Sequence, residues 1–147
     1  GNDLLFGQAG DDELQGEDDN DRLFGGYGND NLFGQAGDDE LQGDDGDDQL
    51  FGGEGADLLT GFAGNDALYG EGGAAQFVLN PGGGSDVIAD FEDGVDRMNL
   101  RDYAAATFAN TTVAAQGADT LVTFTGGESV LIGIDAANIT GADFLFV

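Results

Sequence analysis

A nine-residue period runs from Gly1 to Gly72 and constrains this chain more than any other feature. Asp recurs at Asp3, Asp12, Asp21, Asp30, Asp39, Asp48, Asp57 and Asp66. Leu follows each Asp two places later, from Leu5 to Leu68, and Gly stands two places after that, from Gly7 to Gly70. A second Gly precedes each Asp by two places, except that Asp19 precedes Asp21. Phe6 to Gly16 is repeated verbatim as Phe33 to Gly43. A short unit cannot bury its apolar residue alone, so eight copies at this period demand a stack of near-identical units.

The unit divides into a triplet and a glycine-rich hexad. In triplets such as Glu13-Leu14-Gln15 and Gln49-Leu50-Phe51 the Leu points one way and its neighbours the other, as in a minimal strand. Hexads such as Gly25-Gly26-Tyr27-Gly28-Asn29-Asp30 are rich in residues that tolerate positive φ and form turns. A strand, a turn, a return strand and a second turn make one 18-residue coil. The expected fold is all-β: a parallel β-roll, or two-sided β-solenoid, of about four such coils with the leucines inside. It spans residues 1–72, and a β-rich cap follows over residues 73–147.

Apolar burial cannot hold such a roll together. Each leucine contributes about 1.5–3 kcal/mol, whereas ordering each residue of its repeat costs about 1–2 kcal/mol. Charge makes the balance worse. The chain has 30 acidic residues against 3 basic ones, and 20 of the carboxylates lie in residues 1–72 beside a lone arginine, Arg22. Stacking brings these like charges together every coil, and the hexads leave several backbone carbonyls without partners. A divalent cation between stacked turns answers both problems. Calcium suits the irregular, all-oxygen surroundings, since it takes about six to eight oxygen ligands while magnesium keeps its waters. Solvated turn caps are the alternative for these Asp residues, but turns alone do not require a fixed period.

The same composition excludes other chemistries. Cysteine and histidine are both absent, which removes disulfides, thiolate sites, most zinc chemistry and the commonest general base. Neither an H-E-x-x-H pair nor a G-x-S-x-G elbow occurs, so the segment is not expected to be an enzyme itself. A net charge of −27 repels nucleic acid and anionic membranes, and no apolar run is long enough for a membrane span.

The hexads resemble the G-G-x-G-x-D-x-U-x calcium repeats of the repeats-in-toxin (RTX) proteins. The resemblance implies a parallel β-roll with each calcium between two turns one coil apart. The lower turn would supply the carbonyls of hexad positions two and four plus its Asp, and the upper those of positions one and three plus its Asp. On one edge this sets Gln8, Gly10 and Asp12 against Gly25, Tyr27 and Asp30. Gly26, Gly28 and Asp30 then meet Gly43, Asp45 and Asp48, and Asp44, Gly46 and Asp48 meet Gly61, Ala63 and Asp66. On the other edge, Glu17, Asp19 and Asp21 meet Gly34, Ala36 and Asp39, and Gln35, Gly37 and Asp39 meet Gly52, Glu54 and Asp57. At the ends, Gly1 and Asp3 pair with Gly16, Asp18 and Asp21, and Gly53, Gly55 and Asp57 pair with Gly70 and Gly72. Asp19 replaces the usual Gly, which displaces its carbonyl slightly; Ala75 replaces the ninth Asp, which leaves the site facing Asp57 incomplete. The set amounts to about five to eight calcium ions.

Aromatic residues flank the leucines. Phe6 and Phe24 form one ladder, and Phe33, Phe51 and Tyr69 another, either stiffening the roll by self-stacking or presenting a docking strip. Beyond Gly73 the period breaks. Gln76-Phe77-Val78-Leu79 reads as a longer strand, and Gly84-Ser85-Asp86-Val87-Ile88 imitates a repeat in shifted register. Asp86 would complete a further site over Phe62, Gly64 and Asp66. The segment Asp90-Phe91-Glu92-Asp93-Gly94-Val95-Asp96-Arg97-Met98-Asn99-Leu100 resembles the D-F-x-x-G-x-D-x-[IM]-x-L stretch that follows the roll in serralysin-type secreted proteins. Residues 104–118 read weakly, Thr120–Thr125 and Ser129–Ile134 read as a hairpin across Gly126-Gly127, and Asp135–Asn138 reads as a short helical turn. The terminal Asp143-Phe144-Leu145-Phe146-Val147 resembles the uncleaved signal of type I secretion substrates, and it also suits a last cap strand.

The expected function is therefore a calcium-binding module that folds on calcium outside the cell and supports type I secretion of a larger protein. Its partners would be calcium, the secretion machinery through the C-terminus, and an upstream domain, because the chain begins inside a repeat with no Met. The competing expectation is a calcium-dependent binding module for a polysaccharide, a cell surface or a partner enzyme domain.

Overall fold

The structure is a computed structural model that describes residues 1–80, 82–100, 112–116, 119–123, 129–132 and 137–145. Each nonapeptide contributes one strand. These are β1 (Leu4–Ala9), β2 (Glu13–Asp18), β3 (Arg22–Tyr27), β4 (Asn31–Ala36), β5 (Glu40–Asp45), β6 (Gln49–Gly55), β7 (Leu58–Ala63) and β8 (Ala67–Gly73). Odd-numbered strands stack in parallel in one sheet and even-numbered strands in the other. The register is an unbroken shift of 18 residues: Leu5 lies beside Leu23, Leu23 beside Leu41 and Leu41 beside Leu59. A slip of one residue would turn every Leu outward, so the buried column holds the register.

The core is that column. Leu23, Leu32, Leu41, Leu50, Leu59 and Leu68 are fully buried between the sheets. The flanking rings stack on one another: Phe6 on Phe24 at 5.1 Å, Phe33 on Phe51 at 4.9 Å, and Phe51 on Tyr69 at 4.6 Å between centroids. The stacking is the self-contact that the stiffening role requires, although Phe6 remains 58% exposed.

The solenoid has about five turns, more than the period alone suggested, because the sheets run on past Gly72. The continuing strands are β9 (Gln76–Val78), β10 (Ser85–Ile88), β11 (Arg97–Asn99), β12 (Thr112–Gln116), β13 (Asp119–Thr123), β14 (Ser129–Ile132) and β15 (Phe144–Leu145). β9 adds to β7, β11 to β9 and β15 to β11, all parallel. β10 adds to β8 and β14 to β10, and then β13 and β12 turn antiparallel. The expected hairpin is the β13–β14 pair, with Thr120 beside Ile132; its Gly126-Gly127 turn lies outside the described residues. Phe77, Ile88, Met98, Leu100 and Phe144 extend the leucine core. Near the end, a turn covers residues 137–138 and a 3-10 turn forms at Gly141–Asp143, where Thr140 caps and Asp143 bonds back. Residues 135–136 of the expected helical turn lie outside the described residues. No helix among the described residues is long and apolar enough to cross a membrane.

Leu41→Ala should destabilise the folded roll by about 2–5 kcal/mol in urea unfolding with calcium present, since it opens a cavity in a closed column. Leu4→Ala, at a side chain 57% exposed, should change stability by less than about 0.5 kcal/mol.

Candidate metal centre

The coil geometry gathers the hexads on two edges. Gln8, Gly26, Asp44 and Phe62 stand in register on one, as do Tyr27, Asp45 and Ala63. Glu17, Gln35 and Gly53 stand in register on the other, as do Asp18, Ala36 and Glu54. The structure thus brings together, one coil apart, the turns that the sequence pairs.

From the third repeat on the Asp is buried, and Asp21, Asp30, Asp48, Asp57 and Asp66 are each 1% exposed, whereas Asp3 is exposed and Asp12 half-buried. One carboxylate oxygen is used. The N–H of Asp12 donates to Asp30 Oδ1 at 2.8 Å, that of Asp30 to Asp48 Oδ1 at 2.7 Å and that of Asp48 to Asp66 Oδ1 at 2.9 Å. The second edge repeats this, with Asp3 donating to Asp21, Asp21 to Asp39 and Asp39 to Asp57. The other oxygen is not used. Oδ2 of Asp12, Asp21, Asp30, Asp39, Asp48, Asp57 and Asp66 is buried without a hydrogen-bond partner. A buried anionic oxygen with no donor is among the costliest states in a protein.

Where those oxygens face is informative. A Cβ added at Gly7, Gly16, Gly25, Gly34 or Gly43 would lie within 3 Å of two groups at once. One is Oδ2 of the turn's own Asp; the other is the carbonyl of the first glycine in the turn above: Gly25, Gly34, Gly43, Gly52 or Gly61. Carboxylate and carbonyl oxygens thus converge at five places. The carbonyls of Gly10, Gly28 and Gly46 likewise crowd the α-carbon of the fourth residue one coil up, which tolerates only glycine. At Gly46, with φ of 144°, a side chain would clash with the Gly28 carbonyl. Asp19 departs from this pattern with little consequence. It takes a left-handed φ of 81°, and its carbonyl crowds Gly37 much as Gly28 crowds Gly46.

What converges at each place is a carboxylate oxygen of one turn and a carbonyl oxygen of the turn above. No group of three or more acidic side chains that could hold a metal ion occurs among the described residues. Convergent, unpartnered oxygens of this kind fit calcium.

The ends differ from the middle. Above Asp57 the missing carboxylate at Ala75 leaves its methyl nearest Gly70, with Phe77 Cζ and, farther off, Asp96 Oδ2 beside it. The Gly55 carbonyl there accepts from Ala74 N–H at 3.0 Å. Asp96 takes over the bond to Ala75 N–H at 2.9 Å, and its second oxygen accepts from Glu92 N–H at 2.8 Å. Asp90 accepts from both Gly70 and Glu71 N–H at 2.9 Å. The roles of Asp90 and Asp96 were missed in the sequence because they lie 20 and 21 residues from the N–H groups they serve at Gly70 and Ala75, outside the period of 18.

A second ladder was also missed. Asp11, Asn29 and Asp47 each accept through Oδ1 from the N–H one coil up, at Asn29, Asp47 and Asn65, and Asn20 and Asp38 do the same for Asp38 and Ala56. Its signal was legible, since the residue before each repeat Asp is Asp or Asn in most copies.

Comparison with known proteins decides the family. The model of the RTX calcium-binding nonapeptide repeat matches residues 1–26, 24–59 and 42–76, just over half the chain. The chain belongs to the RTX calcium-binding nonapeptide repeat family. It is similar in structure to the AlgE6R3 subunit of the Azotobacter vinelandii mannuronan C5-epimerase. That match has 27% identity and a TM-score of 0.54, over 100% of this chain and 81% of that one. The extracellular lipase LipA from Serratia marcescens shares the fold, at 14% identity and a TM-score of 0.56 over 94% of this chain. This chain spans 38% of the lipase's length. No curated protein matches the sequence.

Burial raises the carboxyls of Asp39, Asp48, Asp57 and Asp66 in these RTX turns. Desolvation raises Asp48 and Asp57 from 3.8 to about 6 and Asp66 to about 7, partly opposed by the backbone N–H each accepts. A carboxyl with a raised folded-state pKa stabilises the fold below its unfolded value, and that contribution is lost as pH rises through the folded value. With calcium removed, β structure followed by circular dichroism should therefore grow as pH falls from 8 towards 4, with most of the change between about 7 and 5. With calcium present, acidification over the same range should raise the calcium midpoint, because protons compete for the same oxygens.

Proposed function

We propose that this module is a calcium-triggered folding unit of a secreted protein. The observation that carries it is the row of buried, unpartnered Asp Oδ2 atoms, which makes the stacked state costly until a cation meets them. The ligand sets are those the repeat implies. Gly26, Gly28 and Asp30 with Gly43, Asp45 and Asp48 form the central example, and the five convergences of carboxylate and carbonyl support five such sites. Asp30, Asp39 and Asp48 each serve two neighbouring sites, so filling one prepares the next. A cation that binds only the folded chain stabilises it by about 2.7 kcal/mol at 100 times its dissociation constant.

Where calcium is scarce, the net charge of −27 keeps the chain extended and able to thread an export channel. Outside the cell, calcium orders the roll. We assign the C-terminal Asp143–Val147 to a type I secretion signal while unfolded. Once folded, Asp143 is buried and Phe144–Leu145 pairs with β11, which supports its second role as a cap strand. The enzyme or adhesin activity belongs to the rest of a longer protein.

A calcium titration followed by circular dichroism tests this. A disordered signal in chelator should convert cooperatively to β on adding calcium. Asp39→Asn should raise the midpoint about tenfold or more, since it removes a charge from two sites, whereas Asp93→Asn, at an exposed acid, should leave it unchanged. A β signal complete in chelator at neutral pH would refute the proposal.

A further inference from the structure

We infer that the two edges of the roll end differently. The edge through Asp66 carries one more calcium, beyond the repeats, between the Asp66 turn and the Gly83–Asp86 turn. The edge through Asp57 is closed by Asp96 and takes none. The inference rests on calcium binding by the repeats.

The Asp66 end keeps the features of a repeat site in a segment that the family match, ending at residue 76, does not reach. Asp66 N–H donates to Asp86 Oδ1 at 3.2 Å, the bond that every repeat Asp makes to the Asp above it, although the spacing is 20 residues and not 18. Gly64 N–H donates to the Gly83 carbonyl at 2.8 Å, as Gly46 N–H does to Ala63. Gly84 has φ of 114°, and the Gly64 carbonyl crowds its α-carbon as the Gly28 carbonyl crowds that of Gly46. The Phe62 carbonyl faces Gly83. Asp66 Oδ2, on a side chain 1% exposed, has no partner. Two carboxylates and at least two carbonyls thus meet as they do between Asp48 and Asp66.

The Asp57 end keeps one unpartnered oxygen, Asp57 Oδ2, but has lost its second repeat carboxylate and has spent a carbonyl. Ala56 has no side-chain oxygen to take Ala74 N–H, as Asp38 takes that of Ala56, so Ala74 bonds the Gly55 carbonyl instead. Ala75 supplies no carboxylate, and both oxygens of Asp96 hold N–H donors. Asp57 Oδ2 is then the unpartnered carboxylate oxygen left at this end, and one such carboxylate meets a divalent charge less well than the Asp66 and Asp86 pair.

Crystals of the chain grown with calcium, measured at a wavelength where calcium scatters anomalously, decide this on the unmodified protein. A peak between Asp66 and Asp86, together with none between Asp57 and Ala75, is the expected result. Peaks in the Asp30–Asp48 turns without one at Asp86, or a peak above Asp57, would overturn this inference and leave the repeat sites standing. No peak anywhere would overturn both. In solution, native mass spectrometry should find Asp86→Asn one calcium short of the parent, and Asp96→Asn equal to it with a lower melting temperature. An unchanged count in Asp86→Asn, or a lost ion in Asp96→Asn, would count against it.

Discussion

The structure depends on an oxygen that has nothing to bond. Each repeat places a carboxylate between two turns, where Oδ1 holds a backbone N–H of the neighbouring coil and Oδ2 is sealed off. The first bond ties coil to coil, and the second oxygen makes the tie conditional. Burying an unpaired anion costs more than one hydrogen bond returns. Without compensation the aspartates therefore oppose the fold that their hydrogen bonds define. Under the proposed function a cation offsets that cost, which would make the stability of the roll depend on calcium.

Two ladders of side-chain hydrogen bonds run along each edge in opposite senses. The repeat Asp reaches down to the coil before it, as Asp30 does to Asp12. The residue preceding it reaches up to the coil after it, as Asp11 does to Asn29. Turn backbones that would otherwise face one another with unused N–H groups are thereby sewn together. Because Asn serves as well as Asp in the outer ladder, Asn20, Asn29 and Asn65 keep the bond without adding charge. The inner ladder has no such freedom in the repeats, where every copy is Asp. The difference reflects their surroundings, since the inner Oδ2 atoms are buried without a hydrogen-bond partner.

The C-terminal segment solves the problem of ending a solenoid without repeating itself. An open end would expose strand edges and the last leucines. β9, β11 and β15 extend one sheet while β10 and β14 extend the other, and Phe77, Ile88 and Met98 inherit the place of Leu. β9 keeps the 18-residue spacing, with Leu59 beside Phe77, but the next coils are longer, with Leu68 beside Ile88 and Phe77 beside Met98, which hides them from a search for the period. Asp96 and Asp90 bond the terminal turn where the repeat has lost its Asp to Ala75.

The sequence by itself determined the roll, its 18-residue register, the leucine core and the pairing of turns across one coil. A strict period leaves few other ways to bury one Leu in nine residues. The aromatic ladders followed from the same arithmetic, since any outward position recurs directly above itself. What only the tertiary structure decided lies where periodicity fails. The carbonyl of Asp19 keeps its place because the stacked neighbours hold a left-handed backbone that its side chain alone would not select. Asp96 stands above Ala75 because the strand that follows it docks on the growing sheet. Those positions are set by long-range packing, and no local spacing encodes them.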